Sequence, residues 1–277
     1  LQSGDLSSRI ADLDSRSEQM RTGSQRIHVS AVATDWCSRR HALHYLHPES
    51  IRDSSSPRSA DRLLWSIGRA VEHHIRSSLI ESFGPENVLG GWTCACGKTS
   101  RSGLGDRTAK CSACGQPLLH YRELALMPHA QTSVFVGSPD MVVLVDGHLA
   151  PIEIKSIKLD DFKRLTAPQP AHTYQVSMYL PLLRHTVTEH PVGDTAHVIY
   201  GAKDYPAPGV LPYKDFAVPT AETDVAFTLM QQADEQLGPI LRNESRRLPS
   251  RLPACSSSGT TRARNCTACT LCFSLND

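Results

Sequence analysis

GSPDMVVLVDGHLAPIEIK, from Gly137 to Lys155, decides how the chain is read. Met141 to Val145 is apolar and Asp146-Gly147 favours a tight two-residue turn. From His148 onward Ile152 and Ile154 alternate with Glu153 and Lys155, so the stretch predicts a β-hairpin. If Val145 pairs with His148, counting outward sets Asp140 opposite Glu153, with Cβ atoms about 4.5–5.5 Å apart. Lys155 lies two residues on and shares a face with Glu153. Two carboxylates that close repel unless a cation sits between them, and oxygen ligands suit a hard divalent ion such as Mg²⁺ or Mn²⁺. Pro151 cannot donate to a ladder and marks the place where a bulge would shift the count. A cross-strand ion pair on a solvated hairpin is the plain alternative.

Upstream, Ala60 to Phe83 predicts a long helix whose apolar stripe is Leu64, Ile67, Val71, Ile75 and Leu79, with Gly68 allowing a close approach. Glu72 falls beside that stripe while His73 points to the wet side, and a carboxylate on a buried stripe needs a reason. An earlier helix is predicted from Ser30 onward, with Val32, Trp36, Leu43 and Leu46 as core positions and Cys37 inside it. Leu124–Met127 and Thr132–Val136 read as strands leading into the hairpin. After it come a polar linker from Ser156 to Lys163 and a helix from Ala171 to Leu183. That helix carries Gln175 and Tyr179 on one face. Thr195 to Asp204 holds a further strand that ends near Lys203. A Pro-rich turn then leads to a last helix, Ala221 to Arg242, packing through Val225, Leu229, Leu237 and Leu241.

Asp140, Glu153, Ile154 and Lys155, with Pro139 before the aspartate, resemble the core of the PD-(D/E)XK nuclease superfamily. The sequence GRAVEHH upstream and Q-x-x-x-Y downstream stand in the order found in its RecB-like branch. The resemblance implies an α/β fold of the restriction-endonuclease type, a mixed central β-sheet flanked by helices. It also implies metal-dependent hydrolysis of DNA as an exonuclease, at ends or in single strands. In that scheme Asp140, Glu153, the Ile154 carbonyl and Glu72 hold Mg²⁺ or Mn²⁺, with His73 and His74 as alternatives to Glu72. Lys155 orients the water or meets developing charge, Gln175 and Tyr179 position the strand or the site, and Lys203 reaches a phosphate.

Nine cysteines fall into groups that suggest metal ligands more than disulfides. Cys94 with Cys96 and Cys111 with Cys114 form two knuckles, each followed by a glycine, which can close a tetrahedral Zn²⁺ site. Lys98, Arg101, Arg107 and Lys110 make that segment basic. Cys255, Cys266, Cys269 and Cys272 lie near the C-terminus. A ferredoxin would need a fourth cysteine where Asn276 stands. Iron–sulfur members of the RecB-like group, including CRISPR-associated exonucleases, join one early cysteine to three late ones. The resemblance therefore implies a structural [4Fe–4S] cluster on Cys37 and the C-terminal set. Which four of Cys37, Cys255, Cys266, Cys269 and Cys272 serve is open, and a second zinc site competes.

The chain has 277 residues and a formal charge of +1, so contact with DNA must come from local basic clusters. It has no apolar run long enough to span a membrane and no leader-like N-terminus. These features point to a cytoplasmic protein without membrane contact, and the resemblance to a bacterial or phage-infected cell with recombination or repair proteins as partners. The expected segments are a polar arm over 1–27, with a weak helical pattern from Ile10 to Met20, and a helical part of the core over 28–90. A zinc-binding insertion over 91–118, the remaining core over 119–245 and a cysteine-rich iron–sulfur arm over 246–277 complete them. Two other classes predict different behaviour: a DNA-binding scaffold without catalysis, and a redox-sensing cluster protein.

Overall fold

The computed structural model describes residues 26–31, 36–51, 59–102, 110–126, 134–204, 208–219 and 223–275. The helical pattern at 10–20 and the positions Val32, Arg107, Met127 and Thr132 lie outside them. The chain divides into two compact units, one within Leu1–Ile27, Cys37–Leu64 and Glu235–Asp277, the other within His28–Trp36 and Trp65–Asp234.

The larger unit is built on a seven-stranded mixed sheet. Its strands are β1 (Val88–Cys94), β2 (Thr99–Ser102), β3 (Leu118–Arg122), β4 (Met141–Val145), β5 (His148–Ile157), β6 (Thr195–Ala202) and β7 (Tyr213–Pro219), ordered β2-β1-β4-β5-β6-β7 with β3 also on β1. Only β5 and β6 run parallel; the other pairs are antiparallel.

The central hairpin has the expected register, Val145 opposite His148 through Met141 opposite Ile152. Asp146 and Gly147 both take positive φ, 49° and 80°, as a primed two-residue turn requires. Pro151 causes no bulge. Leu149 turns its N–H and C=O away from β4, toward Pro191 and Gly193, and Pro151, two residues on, faces the same way. Pairing with β6 begins only at Ile152, so no ladder bond is lost.

Alternation along β5 sends Ile152 and Ile154 to one face of the sheet. There Val71, Ile75 and Leu79 of α2 (Ser59–Phe83) close a core with Val88, Trp92, Met141 and Val143. Glu153 is sent to the other face, against α4 (Pro170–Thr186). Gly201 on β6 is the contact point for α2. A Cβ there would stand 2.5 Å from Cγ1 of Val71 and 2.8 Å from Cδ1 of Ile75. Gly201→Val therefore forces helix and sheet apart. We expect it to cost about 1–3 kcal/mol, read as a lowered midpoint in thermal or denaturant unfolding.

Several sequence expectations are corrected. Leu64 and Ile67 are exposed, because only the later turns of α2 pack on the core cluster. The segment after β5 is not a linker: β5 runs to Ile157 and α3 (Leu159–Arg164) follows, with Asp160 and Asp161 in its first turn and Lys163 and Arg164 in its last, a charge order that suits the helix dipole. Lys214 caps α3, donating to the carbonyls of Phe162 and Leu165 at 2.7 and 2.8 Å. Strand β7 was not expected; its exposed and half-buried residues alternate, as on a sheet edge. Leu124 and Leu126 are buried, but Leu126 makes only an isolated bridge to Gly137, and the short strand before the hairpin is Phe135–Val136. The last helix, α5 (Thr223–Leu241), buries Ala226, Met230, Ala233, Leu237 and Ile240 rather than Val225 and Leu229.

Residues 29–31 are helical, as expected, but Cys37 does not lie inside a helix: in the smaller unit α1 (Ser38–Leu46) begins after it, and Cys37 is its N-cap, accepting from the Arg40 amide at 3.4 Å. Short helices α6 (Thr261–Arg264) and α7 (Cys269–Ser274) carry the late cysteines. Arg39, almost wholly buried, donates to the carbonyls of Pro249 and Leu275 at 2.9 and 3.1 Å. Arg251 donates to those of Cys272 and Leu275 at 3.0 and 2.8 Å. Two cations thus meet the C-terminal end of α7, where the helix dipole favours them. No helix among the described residues is long and apolar enough to cross a membrane.

Candidate active site

The site forms where β4 stops and β5 runs on. Backbone groups of even-numbered residues on β5 point toward β4, and beyond Ile152 the partner strand has ended. The N–H of Ile154 would be left unpaired, and Asp140, the residue just before β4, fills the gap: its Oδ2 accepts that N–H at 2.6 Å. The carbonyl of Ile154 leaves the strand on the same side. The side-chain oxygen Oδ1 of Asp140 accepts from Nη2 of Arg76 at 2.9 Å.

Glu153 is 5 % exposed and fully engaged. Its Oε1 accepts from Lys155 Nζ at 2.6 Å and Gln175 Nε2 at 2.7 Å, and its Oε2 from the Tyr179 hydroxyl at 3.0 Å. Gln175 and Tyr179, one turn apart on α4, also touch each other at 2.7 Å. Gly137 lets that tyrosine in, since a Cβ there would stand 2.9 Å from its ring. Glu72 on α2 is half-buried and accepts from Ser156 Oγ at 3.2 Å, whereas His73 and His74 are exposed. Lys203 lies beside Gly68, its Nζ 3.4 Å from where a Cβ on that glycine would be, with Ser156 Oγ on the same spot at 2.8 Å.

The carboxylates share one electrostatic field. Burial, with Asp140 as neighbour, raises Glu153 to about 7 against the help of Lys155. Burial raises Asp140 although the Ile154 amide and Arg76 oppose it. Burial and the charge of Asp140 also raise Glu72 and Glu123. Lys155 is pulled down by burial but the Glu153 carboxylate outweighs this, so it stays above its ordinary value and charged. Buried acids held this high lack positive charge, and the oxygen-only set of Asp140, Glu153, Glu72 and the Ile154 carbonyl fits a hard divalent cation.

Glu153, Lys155, Gln175 and Tyr179 thus form one bonded cluster, with Asp140 and Glu72 within its electrostatic reach, while Lys203 lies with Ser156 beside Gly68 of α2. Three neighbours escaped the sequence reading. Arg76 stands one helical turn after Glu72, a spacing that signalled a shared face. Glu123 follows β3 and accepts from the same Arg76 Nη2 at 3.1 Å; nothing in its sequence context marks it. His172 lies one turn before Gln175, pairs with the Tyr200 hydroxyl at 2.7 Å, and is lowered to about 4 by burial and by Lys155. It is therefore neutral at neutral pH.

Cys94, Cys96, Cys111 and Cys114 place their sulfurs within 4.8 Å of one another and could hold a metal ion. Sγ pairs lie at 3.3 Å (Cys94–Cys114) and 3.5 Å (Cys96–Cys111); thiolates about 2.3 Å from a tetrahedral zinc would stand about 3.8 Å apart. Each knuckle closes on a glycine in the left-handed region, Gly97 (φ 86°) and Gly115 (φ 71°), whose N–H returns to the carbonyl of Cys94 or Cys111. The Ala113 amide donates to Cys111 Sγ at 3.4 Å and holds that thiol down at about 6.

In the smaller unit Cys37, Cys255, Cys266, Cys269 and Cys272 line one cavity of about 330 Å³, counting the solvent at its mouth. Burial raises the thiols of Cys37 and Cys255. Cys255 feels the charge of Cys37, and each of the two also feels those of Cys266 and Cys272. Cys269 instead turns its Sγ toward the Ser258 carbonyl at 4.0 Å.

No protein-family model matches the chain, and no curated protein matches it. Among solved structures it is similar to an alkaline exonuclease (LHK-Exo) from Laribacter hongkongensis, at 16 % identity and a TM-score of 0.43, over 80 % of this chain and 93 % of that one. It is similar to the same enzyme in complex with dAMP, at 16 % identity and a TM-score of 0.43, over 79 % of this chain and 91 % of that one.

Proposed function

We propose that the chain is a Mg²⁺- or Mn²⁺-dependent deoxyribonuclease of the PD-(D/E)XK type that removes nucleotides from DNA ends or single strands. The observation that carries the reading is that Asp140, fixed on the Ile154 amide, lies within the electrostatic reach of the buried Glu153 carboxylate, which holds the Lys155 ammonium at 2.6 Å. Asp140, Glu153, the Ile154 carbonyl and Glu72 would hold the cation. When bound, such an ion supplies a water acidic enough to attack a phosphodiester at neutral pH and a counter-charge for the phosphate oxygens. Gln175 and Tyr179, both buried, fix the rotamer of Glu153 rather than touch a nucleic-acid strand, Lys155 keeps its proton and meets the charge that develops, and Lys203 is the proposed phosphate contact.

The two cysteine groups are assigned structural roles, a Zn²⁺ in the knuckles and a [4Fe–4S] cluster in the five-cysteine cavity, because hydrolysis moves no electrons. Cys37, Cys255, Cys266 and Cys272 are the proposed cluster ligands, since the charges of Cys266 and Cys272 are felt at both Cys37 and Cys255, while the Cys269 sulfur, in the same lining, is directed to the Ser258 carbonyl.

End-labelled linear DNA tests the activity. Release of labelled nucleotides is expected with Mn²⁺ or Mg²⁺ and not with EDTA, and closed single-stranded circles should remain intact. Retention of DNA in a gel shift without cleavage under any divalent metal would replace this reading with that of a silent DNA-binding scaffold. Activity that follows reversible reduction of the cluster would favour a redox sensor.

A further inference from the structure

Arg76 stands between two carboxylates. Its Nη2 donates to Asp140 Oδ1 at 2.9 Å and to Glu123 Oε1 at 3.1 Å, and its side chain is 20 % exposed. Its Nε is buried without a hydrogen-bond partner among the described residues. Asp140 Oδ2 is committed to the Ile154 amide, so Oδ1 is the oxygen a cation would use, and Arg76 holds it. The same guanidinium has a second acceptor in Glu123, on the segment that leaves β3. A guanidinium tied to one acid through Nη2 still has unused donors in its planar fork, the geometry that suits a phosphate.

We propose that Arg76 is a positioning residue with two stations: it neutralises Asp140 in the unloaded site, and is handed to Glu123 when a divalent cation takes Asp140, leaving its free N–H groups to grip the substrate phosphate. The inference rests on the nuclease reading of the site and adds a residue to it. It requires two effects of opposite sign. Removing the guanidinium frees Asp140, so the metal binds more tightly; the phosphate loses a partner, so DNA binds less tightly. Glu123 acts only through Arg76: without that second station the guanidinium clings to Asp140 and the metal binds more weakly.

The test titrates Mn²⁺ into the full chain without DNA, reading free Mn²⁺ by its paramagnetic resonance signal. Binding of a short single-stranded oligonucleotide is measured separately in the Lys155→Ala background. Arg76→Gln should tighten Mn²⁺ about tenfold and weaken the oligonucleotide about tenfold, the modest end for a close charge pair. Glu123→Gln should weaken Mn²⁺ several-fold alone and leave it unchanged in the Arg76→Gln background, a non-additivity that marks coupled residues. Arg76→Lys keeps a charge but not the fork, and serves if the glutamine variant melts early; it should retain the metal affinity of the unaltered chain and lose affinity for the oligonucleotide. Metal affinity unchanged or weakened in Arg76→Gln, oligonucleotide affinity unchanged, or additive effects of the two substitutions would each overturn the proposal. If neither the unaltered chain nor Arg76→Gln binds Mn²⁺, the nuclease reading falls with it.

Discussion

Lys155→Ala leaves the chain folded and lowers Mn²⁺-dependent release of nucleotides from DNA by about 10²–10⁴-fold, the range for a side chain that handles a proton or its charge in the reaction. The substitution is clean because Glu153 keeps two other donors, Gln175 and Tyr179. Asp140→Ala should abolish the activity too, but it also strands the Ile154 amide and Arg76, so a lower melting point is expected alongside. Retained activity in Lys155→Ala with an unchanged melting curve would sink the assignment.

The same residue sets a pH dependence. The carboxyl of Glu153 is raised from 4.5 to about 7 in the folded chain. Between those values the folded state binds more protons than the unfolded one, so this group's contribution to stability is greatest below about 4.5, falls as pH rises to about 7 and is level beyond. A cation must displace that proton, so Mn²⁺ affinity runs the other way, rising up to about pH 7. Lys155 favours the ionised form, and its removal should move the rise to higher pH. Mn²⁺ titrations at stepped pH, with and without Lys155, check both directions.

The hairpin was legible because its turn left little choice: Asp146-Gly147 takes positive φ at both positions, and one fixed pair at the turn sets every later pair as far as Met141 with Ile152, after which Asp140 leaves the ladder and accepts from the Ile154 amide. The facing of Gln175 and Tyr179 followed from spacing on one helix. Burial along α2 was not legible, because its stripe continues past the turns that meet the core, so Leu64 has the same periodicity as Ile75 and a different fate. Strand β7 carries a mixed polar pattern with no fully apolar face. Arg76 and Glu123 lie 47 residues apart and meet through tertiary packing alone, which no local pattern encodes.

The cysteine cavity yields the other large effect. The segment that carries the late cysteines packs on an apolar cluster of Leu43, Ile51 and Ala268, with Leu248, Leu271 and Leu275 half-buried around it. A segment of that kind draws much of its folding free energy from a metal when it binds one. Protein prepared without oxygen should therefore be brown, carry about four irons per chain beside one zinc, and resist proteolysis at its C-terminal end. Serine at Cys37, Cys255, Cys266 or Cys272 should remove the colour and the iron and open residues 246–275 to protease, while Cys269→Ser keeps all three properties. The zinc content should be untouched by these changes and lost with Cys94 or Cys111. A colourless protein with two zincs would turn the cavity into a second zinc site and leave the protease result standing. Iron lost from Cys269→Ser and kept by Cys255→Ser would exchange their roles, and full resistance to protease in every serine variant would mean that the C-terminal segment folds on its apolar contacts and the arginine clamps alone.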